Sequence, residues 1–471
     1  MNTEKDIEIS VELLQLINAD LAHHYGIIPK EKKVDSLTFY IDKQKWTPEI
    51  GDELELYLGN TIIFDKISSD RLNKALFVYY RKKLSDEKSI NTVSSVSNNF
   101  LENLIFEAKS IGSSDIHFEV FEEEARARLR IDGVLIEKYK IPRDNYLELI
   151  NKIKIEANLD ITEKRLPQDG RINYEEFDIR VSILPTLHGE KVVMRLLGKD
   201  ASNIDLEDLG LEKEEKQIYL EAVKKSNGIV LISGPTGSGK TTTLYATLKL
   251  LNDIKRNIVT VEDPIEYTLE GINQVQLKED IGLTFATALR SFLRQDPDII
   301  MLGEIRDAET AQMAIRASLT GHLVLSTIHT NSALGTISRL VDMGVPAFYI
   351  AETLNVSVAQ RLVRKLCSHC KKETSLNIND LPRNYKMPRP LNTCYEASGC
   401  QECYYTGYRG RRAIYEIVSI TDELISAIKK DSHQLEKEFE FQYENLANKA
   451  FQLLEKGETS LEEIYSLLIN A

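Results

Sequence analysis

The residues with the plainest chemical purpose form the run Gly234-Pro235-Thr236-Gly237-Ser238-Gly239-Lys240-Thr241. The spacing is G-x-x-x-x-G-K-T, the pattern of a loop that cradles the phosphates of a nucleoside triphosphate. Glycines let backbone N–H groups approach phosphate oxygens, and a helix beginning directly after them adds positive potential. The lysine of such a loop reaches the β- and γ-phosphates, and the hydroxyl of the next residue suits Mg²⁺. Here these are Lys240 and Thr241, with Thr242 completing the candidate nucleotide-binding set. The elements that must hold the loop are present on either side. Gly228–Ser233 is a short apolar run that reads as a buried strand, and 241–251 carries Leu244, Leu248 and Leu251 on one helical face.

Three later segments supply groups the loop lacks. Residues 258–264 are a β-branched run ending in Glu262 and Asp263, with Pro264 stopping the strand. Residues 298–304 read as a second buried strand ending in Glu304. Carboxylates at strand ends beside a phosphate loop are where Mg²⁺ and the attacking water are managed. Residues 322–329 form a third strand with His322 and His329 at odd separation, so on opposite faces, and one of them can point to the site. Arg290 and Arg294 stand four apart on one face of an expected helix, as candidates for stabilising transition-state charge.

Cys367, Cys370, Cys400 and Cys403 make two C-x₂-C knuckles separated by residues 371–399. That pattern points to a structural tetrahedral Zn²⁺ site, and four thiolates leave no open position for catalysis. The interval exceeds the common zinc-ribbon spacing, so a longer flap is expected, and Cys394 is left as a spare thiol.

The rest of the chain frames these sites. With 471 residues, two to four domains are expected at roughly 150 residues each. A net charge of −14 argues against broad binding to nucleic acid or anionic membrane. No apolar run approaches the roughly 20 residues of a membrane span, and the polar start lacks a signal-peptide pattern, so a cytoplasmic location is expected. Residues 1–84 read as a small α/β docking domain, with strands at 37–41 and 61–64, a helix over 11–25 and another capped by Ser69. The Ser-rich stretch 85–97 reads as a linker. A second domain over 98–200 alternates strands and turns. In it Arg126, Arg128 and Arg130 share one strand face, followed by Arg165, Arg171, Arg180 and Arg195. Either these arginines form a solvated charged face, or they meet a phosphate on a neighbouring domain or subunit. A nucleotide domain over 201–471 then includes the cysteine insertion, 366–404, and a mainly helical part, 411–471.

The motifs together resemble those of the type II secretion and type IV pilus assembly ATPases, the GspE/PilB type, from about residue 98 onward. Ser114–His117, Arg165–Arg171 and Leu187–Glu190 resemble the family's second N-terminal domain. Thr260–Glu266 resembles its Asp box, Arg294–Asp307 its Walker B segment and Thr320–Asn331 its His box. The resemblance implies an α/β fold: a RecA-like P-loop NTPase domain behind two small α/β domains, with a zinc-knuckle insertion and a helical C-terminus. It implies that Glu262 polarises the attacking water, that Glu304 helps hold Mg²⁺, and that His322 and His329 sense the γ-phosphate. It also implies a homo-hexamer whose arginines, those of the second domain and Arg290 and Arg294, close on bound ATP. The expected cofactors are ATP, Mg²⁺ and Zn²⁺. The expected partners are an inner-membrane platform protein and a bitopic membrane protein reached through residues 1–84, with membrane association only through these partners and no direct nucleic acid. The function so implied is ATP-driven assembly of pilin-like subunits for type II protein secretion. Alternatives are pilus assembly or a DNA-uptake pseudopilus, and from another class a nucleic-acid motor or a non-hydrolysing scaffold. The cyclic-dinucleotide motif of many relatives is not visible, and the tetracysteine insert argues against the retraction ATPases.

Overall fold

The computed structural model describes residues 100–469, apart from 175, 176, 199–203, 384, 433 and 440–442. It also describes 25–67, apart from 34, 35, 44 and 45, and positions 13, 16, 17, 21, 22, 72, 76, 91 and 92. The chain divides into two compact units, Met1–Ile90 and Asn91–Ala471. In the first, β1 (Ile27–Lys32), β2 (Ser36–Asp42) and β3 (Thr61–Ile67) form a sheet in that order, antiparallel then parallel. The helix α1 (Pro48–Leu58) makes the crossover and ends at Gly59 with φ 70°. Ile27, Ile28, Leu37, Phe39, Ile41 and Leu54 are its buried core. Both expected strands are present, and β1 was not anticipated because Pro29 and a register shift break its alternation. The helices expected over 11–25 and after Ser69 lie largely outside the described residues.

The second unit begins with a seven-stranded sheet of order β4-β7-β6-β5-β10-β9-β8. Its strands are β4 (Asn91–Thr92), β5 (Asp115–Val120), β6 (Ala125–Ile131), β7 (Val134–Ile141), β8 (Gln168–Asn173), β9 (Phe177–Thr186) and β10 (Gly189–Gly198). Asn91 and Thr92, inside the segment expected to be a linker, pair with Tyr139 and Lys140 of β7. In β5 the period of two puts Ile116, Phe118 and Val120 into the core with α2 (Phe100–Ser110) and α3 (Arg143–Glu156). The other face of β5 carries Asp115, His117 and Glu119. There the arginine stripe is neutralised in place. Glu119 is paired with Arg126 at 2.9 Å, Arg128 at 2.7 Å and Lys191 at 3.2 Å, while Arg130 and Arg195 pair with Asp115.

The second sheet of this unit has the order β13-β12-β14-β15-β11-β16-β19. Its members are β11 (Gly228–Ser233), β12 (Ile258–Glu262), β13 (Asn273–Gln276), β14 (Ile299–Leu302), β15 (Leu323–Ile328), β16 (Leu354–Leu366) and β19 (Tyr408–Ser419). All neighbours are parallel except β16 with β19. Every residue of β11, β12, β14 and β15 is buried, as continuous apolar strands covered on both faces must be. In sequence order, α4 (Lys213–Val223), α5 (Lys240–Leu251), α6 (Phe285–Phe292), α7 (Ala308–Leu319), α8 (Gly335–Asp342) and α9 (Ala347–Thr353) accompany these strands.

The helical C-terminal part begins later than residue 411. Residues 408–419 pair with β16 as an edge strand, because Ala413–Val418, apolar and β-branched apart from the buried Glu416, extends the sheet. Helices then follow at α10 (Asp422–Lys430), α11 (Leu435–Glu438), α12 (Leu446–Glu455) and α13 (Leu461–Ile469). Thr421 caps α10 by accepting from Leu424 N–H, and Gly457 turns the chain after α12 with φ 62°. Ser460 makes half of a capping box before α13. Ser460 Oγ accepts from Glu463 N–H, while the Glu463 carboxylate crosses to Arg364 at 2.5 Å. Lys449, 9% exposed, joins α12 to α4 through Glu212, Glu215 and Glu444. The long flap between the cysteine pairs contains the ribbon β17 (Lys372–Ser375) and β18 (Thr393–Glu396). Among the described residues, no helix is long and apolar enough to cross a membrane.

Burial alone would raise the Glu119 carboxyl, but the guanidinium groups of Arg128 and Arg126 overcome it and hold the group at about 2. A depressed carboxyl stabilises the fold above its ordinary value near 4.5 and loses that contribution as pH falls towards the folded value. Glu119→Gln should therefore cost about 3 kcal/mol near pH 7, lowering the unfolding midpoint. The gap to wild type should close between about pH 4.5 and pH 2, as followed by thermal melts across that range.

Candidate phosphate site and cysteine cluster

The phosphate loop leaves the C-terminal end of β11 and runs into α5, whose first residue is Lys240. Gly234 has φ 148°, and a Cβ there would lie 2.5 Å from the Gln360 carbonyl oxygen and 2.6 Å from Ser238 Oγ. Gly239 has φ 89° and no room for a Cβ against Gln360 Nε2 at 2.8 Å. Both glycines are required by the left-hand backbone and by the close approach of β16. Lys240 Nζ donates to the carbonyls of Gly234 at 2.8 Å and Pro235 at 3.0 Å. Its burial lowers the ammonium pKa, and the Glu304 charge opposes that shift. Ser238 Oγ is buried without a hydrogen-bond partner. A glycine cradle, a buried cation and an orphaned hydroxyl at a helix N-terminus fit the phosphate chain of a nucleotide. Thr241 is exposed at the open end of the loop, as a Mg²⁺ ligand needs to be, with Thr242 half-buried behind it.

The two carboxylates differ in setting. Glu262, 3% exposed, accepts from the Tyr245 hydroxyl, from Thr260 Oγ1 at 2.6 Å and from Gln274 Nε2 at 3.1 Å. Three of its roughly four acceptor positions are therefore taken. Glu304 follows β14, and Thr327 Oγ1 of β15 donates to the Gly303 carbonyl just before it at 2.7 Å. Its carboxylate accepts from Arg306 at 2.6 Å and lies 3.2 Å from His329 Nε2. Burial would raise the Glu304 carboxyl, but the Arg306 guanidinium and then His329 bring it below its ordinary value.

His322 and His329 flank β15 at opposite ends. His322 Nδ1 lies 2.9 Å from the Ala317 carbonyl, and its own carbonyl accepts from Gly228 N–H at the start of β11. That is the end of the sheet away from this chain's phosphate loop; of the two histidines expected to sense the γ-phosphate, His329 is the one that stands at the loop's end. The arginines divide in the same way. Arg180 donates to the Ile265 carbonyl and lies 3.4 Å from Glu266, at the C-terminal end of the Asp-box segment. Arg171, Arg180 and Arg195 sit opposite one another across β8, β9 and β10. Arg165 is 89% exposed, with a contact to Glu163 at 3.5 Å. Arg290 pairs with Glu309, and Arg294 lies beyond the end of α6, bonded to the Arg290 carbonyl at 2.9 Å. Arg165, Arg171, Arg290 and Arg294 have no described bond to the phosphate loop.

Several neighbours of the site were missed from sequence. Tyr245 reads as one more apolar position on α5, yet its hydroxyl serves Glu262. Arg306 stands two residues after Glu304, within the recognised segment, and that proximity was the available signal. Gln360 and Arg361 belong to β16, whose approach to the loop has no local sequence mark. Gln360 accepts from Thr243 Oγ1 at 2.9 Å.

The sulfur atoms of Cys367, Cys370, Cys400 and Cys403 all lie within 4.8 Å of one another. Three of the separations are 3.8, 3.8 and 3.7 Å. A tetrahedron with Zn–S bonds of about 2.3 Å has edges of about 3.8 Å. The donor set and its size therefore fit a tetrahedral metal. Gly407 N–H and Cys400 N–H both donate to Cys403 Sγ at 3.2 Å, as outer partners that orient a ligand. Cys394 is buried and lies outside the cluster.

Residues 91–466 match the family model described as "Type II/IV secretion system protein". A type II secretion system protein E of Pseudomonas aeruginosa is 50% identical over 337 residues, covering 71% of this chain and 67% of the relative. A type IV pilus assembly ATPase PilB of Myxococcus xanthus is 40% identical, covering 98% of this chain and 87% of the relative. Among solved structures, the pilus retraction motor PilT with bound ADP covers 77% of this chain and 95% of its own at 26% identity, with a TM-score of 0.54. The Legionella pneumophila ATPase DotB, at 21% identity and a TM-score of 0.61 over 81% of this chain and 99% of its own, shares the fold. The family match spans nearly all of the second unit, including both sheets and the cysteine cluster, and on that ground the chain belongs to the type II/IV secretion system protein family.

Proposed function

We propose that this chain is the ATP-hydrolysing motor of a type II secretion system, working as a hexamer that drives assembly of pilin-like subunits. The observation that carries the reading is the coincidence of an intact phosphate loop with Glu304, Arg306 and His329 at the ends of adjacent parallel strands. Backbone N–H groups of Gly237–Thr241 and the ammonium of Lys240 hold the β- and γ-phosphates. Mg²⁺, when bound, neutralises phosphate charge, and Thr241 is the residue to hold it. Glu304 is the carboxylate whose charge Lys240 feels, and its lowered pKa keeps it ionised near neutrality. We therefore assign to Glu304 the orientation of the attacking water, with His329 as its neighbour. This reverses the role expected for Glu262, whose three donors make it a buried brace for the Asp box. Phosphoryl transfer then goes to water by positioning and electrostatics.

Arg180, already against the segment after Glu262, and Arg165, Arg171, Arg290 and Arg294 are assigned to the closing of one subunit's surface on ATP held by its neighbour. Residues 1–84 are assigned to docking on a bitopic membrane partner, and the ring to an inner-membrane platform protein at the cytoplasmic face. The four cysteines are assigned Zn²⁺, as a structural ion. A second reading, pilus assembly, is favoured by one observation: the alignment to the Myxococcus pilus ATPase runs over 98% of this chain.

Purified protein should carry about one zinc per chain, measured by atomic emission. Stripping it with a chelator should lower the unfolding midpoint, because a closed tetrathiolate site contributes directly to folding. Full retention of stability without metal contradicts the assignment. In the source cell, Lys240→Ala should abolish secretion of exported proteins while leaving surface pili. Loss of pili with secretion intact selects the second reading, and no change in either rejects both.

A further inference from the structure

Arg361 is a half-buried cation with no carboxylate at ion-pair distance among the described residues. It lies two residues beyond Ala359, the β16 residue that pairs with Ser233 at the end of β11. The chain therefore brings its guanidinium directly over the first residues of the phosphate loop. Nη1 donates to the Gln360 carbonyl at 3.0 Å and would stand 3.1 Å from a Cβ built on Gly234. Nη2 donates to the Asn331 carbonyl at 3.0 Å. Asn331 is two residues past His329, which lies 3.2 Å from Glu304.

We infer that Arg361 is a positioning residue for hydrolysis: its planar fork fastens the turn after His329 to β16, where β16 runs against Gly234 of the phosphate loop, and so keeps His329 against Glu304. The inference rests on the ATPase reading above. The geometry asks for a fork. One nitrogen must stay on β16 while the other reaches the turn after β15, and a single ammonium cannot hold both directions. Other described ties of that turn lie further along it, among them Ser233 Oγ, which donates to the Ser332 carbonyl at 3.3 Å, and Ala333 N–H, which donates to Glu416 at 2.7 Å. Among the described residues, Arg361 is the side-chain tie nearest to His329 that joins this turn to β16. Burial lowers the pKa of this cation and the Glu416 charge opposes that shift only in part, so keeping it there costs desolvation. The positioning it supplies is the return on that cost.

The test compares full-length wild type with Arg361→Met, which keeps the stem and loses both donors, and Arg361→Lys, which keeps the charge and one direction. Turnover of Mg-ATP and affinity for a fluorescent non-hydrolysable ATP analogue are measured on each, with Lys240→Ala alongside. A misplaced reacting group costs about a hundredfold in rate, so Arg361→Met should lose about 10- to 100-fold in kcat. Its analogue affinity should remain within about threefold of wild type, and Arg361→Lys should fall between the two in kcat. Turnover of Arg361→Met within about twofold of wild type overturns the inference, as does a loss of analogue affinity that parallels the loss of turnover. If Arg361→Met is not obtained folded, Arg361→Lys decides alone: reduced kcat with retained affinity supports the role, and unchanged kcat overturns it. Normal turnover in Lys240→Ala would instead reject the ATPase site itself, whatever Arg361 does.

Discussion

Everything at the candidate site depends on one close approach, that of the phosphate loop to the neighbouring strand β16. Gly234 and Gly239 pass so near Gln360 that neither can carry a side chain. That contact fixes where the loop leaves β11 and aims the first turn of α5. It also lets Gln360 receive the Thr243 hydroxyl and sets Arg361 over Gly234. The parallel order β12-β14-β15-β11-β16 then brings the other groups to the same edge without further design. In a parallel sheet all C-terminal ends point one way, so Glu262, Glu304, His329 and the loop are neighbours by topology.

Within that frame, hydrogen-bond donors separate two carboxylates that look alike in sequence. Glu262 sits among a tyrosine, a threonine and a glutamine, and it stabilises the fold around the Asp box. Glu304 is held between the Arg306 guanidinium and the His329 ring, with Lys240 in its field. A group held by two flanking side chains can reorient when a nucleotide arrives. One held by three buried donors pays a larger cost to move.

The phosphate loop, the cysteine cluster and the buried strands were legible because their chemistry is local. Glycine spacing, a C-x₂-C pair and a continuous apolar run each announce their purpose within a few residues. What was not legible depended on distant contacts. Residues 411–419 looked like the start of a helical tail, and only pairing with β16 makes them a strand. The alternation of Arg126, Arg128 and Arg130 was plain, yet it left open whether they formed a solvated charged face or met a phosphate on a neighbouring domain or subunit. Glu119 and Asp115 on the adjacent strand answer that. His322 and His329 share a motif and still end up at opposite ends of β15, because the six-residue strand between them makes seven steps, about 23 Å at 3.3 Å per residue. Arg361 had no mark at all, since its importance comes from the register of β16 against β11.

The central claim is that the groups gathered at this edge hydrolyse ATP, with Glu304 orienting the water. The most direct measurement is phosphate release by purified full-length Glu304→Gln beside wild type, with nucleotide binding followed on the same samples. The account predicts retained binding and a loss of turnover of at least about a hundredfold, the scale of removing a group that acts only in the transition state. Wild-type turnover in Glu304→Gln would contradict it.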